Sequence, residues 1–194
     1  SSAGGHSTQE HNYFISYPFS GFSVCTSGRY YQTDGFRHNH LGKTKGSRIL
    51  STHTKAVKDF GDDKTLTLSF HSLDSFFANP ASLSDAEYQA DYYQVSSRDE
   101  EDFSTDLMRI GAINYSQPLG DNTSISVQAN YLLEKQELWL ESTFNVTKSL
   151  NRAAAWGSVL EVLHTGQFLG MEHQLTFGGE YYDDGSNQKT DVFS

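Results

Sequence analysis

His38 and His40 flank Asn39, so two imidazoles stand two residues apart in a polar stretch. That spacing lets both rings face one metal ion, but a zinc site takes about four ligands and the sequence assigns no others. A solvated loop is the expectation there. His6, His11, His53, His71, His164 and His173 are scattered and read as ordinary surface or interior-facing residues. Cys25 is the one cysteine and falls on the polar face of an alternating stretch. The sequence places no basic residue beside it to lower its pKa, so it reads as a small buried side chain. Asp62-Asp63 and Asp183-Asp184 read as turn or loop chemistry. A glycosidase-like pair needs two carboxylates from separate elements, which adjacent residues do not supply. No serine nucleophile elbow occurs. Gly178-Gly179 interrupts a strand pattern, where glycine marks a bulge or a close approach, and no Gly-rich phosphate loop is present. The expectation is a protein that is not an enzyme, with no cofactor and no resident metal.

Composition narrows the class further. The chain has 194 residues and a formal charge of −10, which argues against a general nucleic-acid binder because phosphates need a basic face. Aromatic residues make up 13%, more than a disordered chain carries. A single cysteine excludes an internal disulfide and a Cys-rich zinc site. The longest apolar run is Ala153 to Trp156, far short of the roughly 20 residues of a membrane-spanning helix. A membrane β-barrel stays open, because its strands need only about 10 alternating residues. The chain begins Ser1-Ser2-Ala3-Gly4-Gly5-His6 with no Met, basic region or apolar region, and reads as a processed chain or a fragment. It closes on Asp191-Val192-Phe193-Ser194 without a strand pattern leading into it.

Period-two alternation dominates. Ile125, Val127, Ala129 and Tyr131 share one face, against Ser124, Ser126, Gln128 and Asn130. Leu66, Leu68 and Phe70 alternate with Thr and Ser, Leu175 and Phe177 with Thr176 and Gly178, and Phe22 and Val24 with Ser23 and Cys25. Further strands are expected at about 11–17, 47–59, 104–117 and 152–165, and 138–146 also alternates. Short turns at Pro18–Gly21, Phe60–Asp63 and Pro118–Asn122 alternate with long loops at Gly35–Gly46 and Ser75–Phe103. Outer-membrane barrels have that rhythm, with tight turns on one side and long loops on the other. Ser84-Asp85-Ala86-Glu87 reads as a capping box that starts a short helix inside the second long loop.

Several of these segments resemble the early barrel of TonB-dependent outer-membrane receptors. Ser27-Gly28-Arg29-Tyr30-Tyr31-Gln32-Thr33-Asp34-Gly35-Phe36-Arg37-His38-Asn39 is similar to an aromatic strand that ends in a Thr-Asp-Gly-Phe-Arg-like corner. Leu66 to Phe70, then Asn79-Pro80-Ala81-Ser82-Leu83-Ser84-Asp85-Ala86-Glu87-Tyr88-Gln89-Ala90-Asp91, resemble the next strand and a loop motif with a short helix. This chain has Asn79-Pro80-Ala81 where the family often has Leu-Pro-Gly. Gly170 to Tyr182 resembles a further strand. The resemblance spans most of residues 11–185. It implies a partial barrel, since a complete one has about 22 strands and this chain supplies about eight.

The expected fold is therefore all-β, with about eight antiparallel up-and-down transmembrane β-barrel strands and one short loop helix, and residues 1–194 form a single partial barrel domain. The resemblance implies a bacterial outer-membrane location, contact with outer-membrane lipid, and uptake of a ferric siderophore or similar nutrient complex. It further implies energy from the TonB complex, reached through an N-terminal plug that the first ten residues cannot hold. Arg37, His38, His40, Tyr88, Tyr92, Tyr93 and Arg98 are candidate ligand contacts, chosen for exposure and for hydrogen-bonding or stacking capacity in the long loops. Two other readings stand beside this one: a complete small barrel acting as an adhesin, structural protein or narrow pore, and a soluble β-sheet binding protein. Polar, irregular Asn187–Ser194 weighs against the complete barrel, which normally closes with an aromatic-terminated strand. The expected lipid-facing set is Leu66, Leu68, Phe70, Ile125, Val127, Ala129, Leu175 and Phe177, with Tyr13, Tyr17, Tyr30, Tyr31, Tyr131, Tyr181 and Tyr182 near the membrane interfaces. Parity requires an odd number of crossings between 134 and 172. So 152–165 should cross alone, and 137–148 should form a hairpin arm of an outer loop.

Overall fold

The computed structural model describes residues 7–35, 46–78, 83–91, 94, 102–141 and 145–193. Eight strands follow one another: β1 Thr8–Phe19, β2 Phe22–Thr33, β3 Ser47–Asp59, β4 Thr65–Ala78, β5 Phe103–Pro118, β6 Thr123–Glu141, β7 Val146–Phe168 and β8 Met171–Phe193. One helix, α1 Asp85–Ala90, lies between β4 and β5. Every strand pairs antiparallel with its sequence neighbours in a single sheet of order β1 to β8. Among the described residues β1 and β8 do not meet, so this is an open wall of a barrel, not a closed eight-stranded one.

The register assigns every side chain to a face, because directly paired residues point the same way. One row reads Phe19, Phe22, Lys58, Leu66, Tyr115, Val127, Leu160 and Gly179 from β1 to β8. The rows around it carry Tyr17, Val24, Leu68, Ile113, Ala129 and Tyr181, and all eight residues of the expected lipid-facing set fall on this apolar face. The opposite face carries Ser23, Cys25, Lys55, Thr67, Ser69, Asn114, Ser126, Gln128 and Glu161, and we call it the inner face.

Among the described residues no core lies behind either face. Ala155 is the one buried hydrophobic residue among those described, while Phe177 is 81% exposed, Leu175 61% and Ile15 60%. A folded soluble domain does not leave so continuous an apolar surface in water. The uncovered face suits a lipid solvent, where the backbone is satisfied by strand pairing alone.

The four turns at one end are short, as the Gly, Asn and Asp content demands. At β7–β8 the turn is Leu169-Gly170, both in the left-handed region at φ 54° and 75°. That is the twist a two-residue hairpin needs to match its strands. Glycine also serves at Gly28, where Tyr13 of the neighbouring strand lays its ring over the missing side chain. At the other end the capping box forms as expected: Ser84 N–H donates to Glu87 Oε2 at 2.9 Å, and Glu87 N–H donates to Ser84 Oγ at 3.4 Å.

Three expectations need correction. Of the stretch expected to be irregular, Asn187–Phe193 is strand, since β8 continues to Phe193 and each of these residues pairs with β7, ending at Val146 opposite Phe193. Asp183-Asp184 therefore lies within a strand, where Asp183 Oδ2 accepts a hydrogen bond from Trp156 Nε1 at 3.2 Å. A ladder bonds through the backbone, so polar side chains do not end it. Tyr31 and Tyr182 fall on the inner face, apart from the other tyrosines of the expected girdle. By contrast, the predicted arm forms as expected. β6 runs on to Glu141 and β7 begins at Val146, so one strand returns and the 137–148 segment is the hairpin's far end.

The two faces of β6 give a direct test. Val127 lies on the apolar face and Gln128 on the inner one. Val127→Arg should lower folding into lipid vesicles by about 2–4 kcal/mol, while Gln128→Arg should cost much less. Equal tolerance, read by urea titration of vesicle-inserted protein, would contradict the lipid-facing assignment.

Candidate functional site

The connections at the far end hold the candidate ligand contacts expected from the sequence. β2 to β3, β4 to β5 and β6 to β7 all turn back at the same end of the sheet, opposite the short turns. Arg37, His38 and His40 belong to the first connection, and Tyr88, Tyr92, Tyr93 and Arg98 to the second. Tyr88 sits on α1 and is 54% exposed. Arg37, His38, His40, Tyr92, Tyr93 and Arg98 lie outside the described residues, so whether they converge is not part of the geometry.

What the structure does bring together was not read from the sequence. Near that end, the inner face carries one cross-strand row in which Ser75, Asp106, Gln136, Asn151 and Gln188 are successive register partners from β4 to β8. Ser75 Oγ donates to Asp106 Oδ2 at 3.4 Å, Gln136 Nε2 to Asp106 Oδ1 at 3.0 Å, and Asn151 Nδ2 to Gln136 Oε1 at 3.3 Å. Asn151 Oδ1 is buried without a partner. Ser75 is 3% exposed. Asn151 and Gln188 line an open groove of about 320 Å³ with Glu134, Ala153 and Ser186. Such a row offers fixed donors and acceptors to an oxygen-rich ligand. The signal was hidden because its successive members lie 15 to 37 residues apart and meet only through the register.

Lower on the inner face, His53 and His71 are direct partners with ring centroids 6.3 Å apart. No third ligand completes a metal site among the described residues. Cys25 is half-buried, not buried, and the register sets it opposite Lys55, a cation that sequence spacing could not show. Arg29 and Glu10 form an exposed ion pair at 3.1 Å across β1 and β2.

The arm carries its own electrostatic knot, beyond the apolar band and on the face continuous with it. Glu137 Oε1 accepts from Trp139 Nε1 at 3.0 Å and from Lys148 Nζ at 2.9 Å, and Lys135 Nζ lies 3.6 Å from Oε2. Trp139 stacks on Phe103 at 5.7 Å, Phe103 on Phe76 at 5.7 Å, and Lys148 Nζ lies 4.8 Å from the Trp139 ring centre. The indole hydrogen bond first, then the Lys148 hydrogen bond and the two positive charges, lower the Glu137 pKa from 4.5 to about 2 against the effect of burial.

That geometry defines a class: the wall of an up-and-down antiparallel β-barrel, apolar outside and polar within, with long connections at one end. Solved structures share it. The ferric citrate transporter FecA in its unliganded form superposes with a TM-score of 0.81 and 16% identity, over 96% of this chain and 27% of that one. The ferric-catecholate import receptor Fiu from E. coli K12, in an open form, gives a TM-score of 0.71 and 9% identity, over 92% of this chain and 32% of that one. At these identities the likeness is one of fold, and the chain spans about a third or less of either neighbour. No family model matches, and no curated protein matches.

The Glu137 knot sets a pH response. Its pKa is lower in the folded state, so its contribution is complete above about 4.5 and is lost as pH falls towards 2. Protection of the arm amides, taken relative to intrinsic hydrogen exchange at each pH, should fall across that window. Glu137→Gln should lower that protection at neutral pH and flatten its response to acid. An unchanged acid response in that variant would separate the knot from arm stability.

Proposed function

We propose that this chain is one wall of a TonB-dependent outer-membrane receptor barrel that takes up a ferric siderophore or similar nutrient complex. The carrying observation is the inner-face row of Ser75, Asp106, Gln136 and Asn151 at the long-loop end of a sheet whose other face is apolar. The cargo named for the two fold neighbours supports the choice of ligand class. In this reading the wall makes and breaks no covalent bond. Hydrogen-bonding groups hold the ligand while the loops carrying Arg37, His38, His40, Tyr88, Tyr92, Tyr93 and Arg98 make first contact. Energy would arrive from the TonB complex through a plug domain, and outer-membrane lipid would cover the apolar face.

Uptake of iron-55 as ferric citrate and as a ferric catecholate, in iron-limited cells with and without TonB, tests this reading. Uptake of at least one complex should require both the protein and TonB. Asn151→Leu and Gln136→Leu should each weaken binding about tenfold, about 1.4 kcal/mol, as expected for losing a hydrogen bond to a charged ligand. Uptake that is indifferent to TonB, or wild-type binding of both complexes by both variants, would overturn the proposal.

A further inference from the structure

The face continuous with the apolar band changes character abruptly above Tyr131, Leu133 and Trp156. Arg109 pairs with Leu133 in register, and two residues further along β6 Lys135 stands directly opposite Arg152 of β7. Lys148 lies two rows beyond. Four cations thus gather on one face of β5 to β7 in a chain whose net charge is −10. Like charges directly opposed across a ladder repel, so Lys135 against Arg152 is unfavourable unless an anion sits between them.

The local carboxylates do not fill that role. Glu137 is held by Trp139 and Lys148. It reaches Lys135 only at 3.6 Å, and Lys135 is still 40% exposed. Asp183 accepts the indole hydrogen of Trp156 one strand away and two rows closer to the band. Arg109 donates to the carbonyls of Leu73 and Met108, both at 2.9 Å. Arg152 is exposed and has no ion pair among the described residues.

The height of the patch identifies the anion. Trp156 and Tyr181 pack at 4.8 Å just below it, as aromatic rings do at the level of lipid headgroups. Cations placed there meet the phosphates of the bilayer surface. We propose that Lys135 and Arg152 bind the phosphate of an anionic membrane lipid, seated on the aromatic belt with its acyl chains along Leu133, Leu160 and Val127. Lys148, on the Trp139 ring, borders the site from above. The proposal rests on the membrane-barrel reading and adds a lipid-specific site on the side of the wall facing away from transport.

The protein is reconstituted in phosphatidylcholine bilayers carrying a trace of spin-labelled phosphatidic acid or spin-labelled phosphatidylcholine. The motionally restricted fraction of each label is then read by electron paramagnetic resonance. The wild type should restrict phosphatidic acid several-fold more than phosphatidylcholine, and high salt should reduce that preference. Lys135→Gln with Arg152→Gln should abolish it, and Arg152→Lys should retain part of it. Lys189→Gln, at a lysine paired with Asp191 at 3.0 Å, should leave it intact. A preference that survives the double substitution, ignores salt or disappears equally in the Lys189 variant would overturn the site. Loss of the preference on adding inorganic phosphate at the lipid's concentration would assign the patch to free phosphate and overturn the lipid assignment. If neither label is restricted, the barrel reading itself fails, an outcome distinct from equal restriction of both labels, which removes only the site.

Discussion

Everything in this wall depends on strand-to-strand backbone pairing. Seven antiparallel ladders join eight strands in an unbroken order, and Ala155 is the one buried hydrophobic side chain among the described residues. In a soluble domain the apolar faces of several layers would meet and exclude water. Here a single layer satisfies its own backbone donors and acceptors, which is the condition for residing where no water can. The apolar face is then a solvent-facing surface of a kind that suits lipid. The same condition makes the two outermost strands conspicuous. Among the described residues β1 and β8 each present an unpaired edge, and β8 does so over 23 residues. Edges of that length call for further strands.

Because each ladder holds its register along its whole length, the two faces stay separate and carry different chemistry. The inner face lines up amides, hydroxyls and carboxylates into a row that spans five strands. The outer face runs from aliphatic and aromatic residues to a cationic patch at the foot of the arm. The arm is stiffened by the Phe76, Phe103 and Trp139 stack and by the Glu137 ion pairs. The chemistry of the two faces can thus vary independently, since alternate residues of each strand serve each.

Much of the architecture was legible because the strand repeat is two residues and the two faces differ in polarity. Val127 and Gln128 could be assigned to opposite faces from alternation alone, and the capping box at Ser84 announced α1. Parity placed 137–148 in an arm, because tight turns and long connections must fall on opposite ends. The end of β8 was misread for a physical reason. Residues 183–191 carry no large apolar side chain on either face, and a strand needs none when a neighbour supplies the ladder.

The order of the polar and apolar residues therefore determined by itself that this is an antiparallel sheet with one lipid-like face, one polar face and long connections at a single end. Which residues from different strands stand side by side was decided only by tertiary structure. Register aligns Ser75 with Asp106, Gln136 and Asn151, and sets Lys135 against Arg152 and Cys25 against Lys55. Alternation fixes a side chain's face but not its height along the strand. A shift of two residues in a ladder would preserve every face while breaking the contacts made across it.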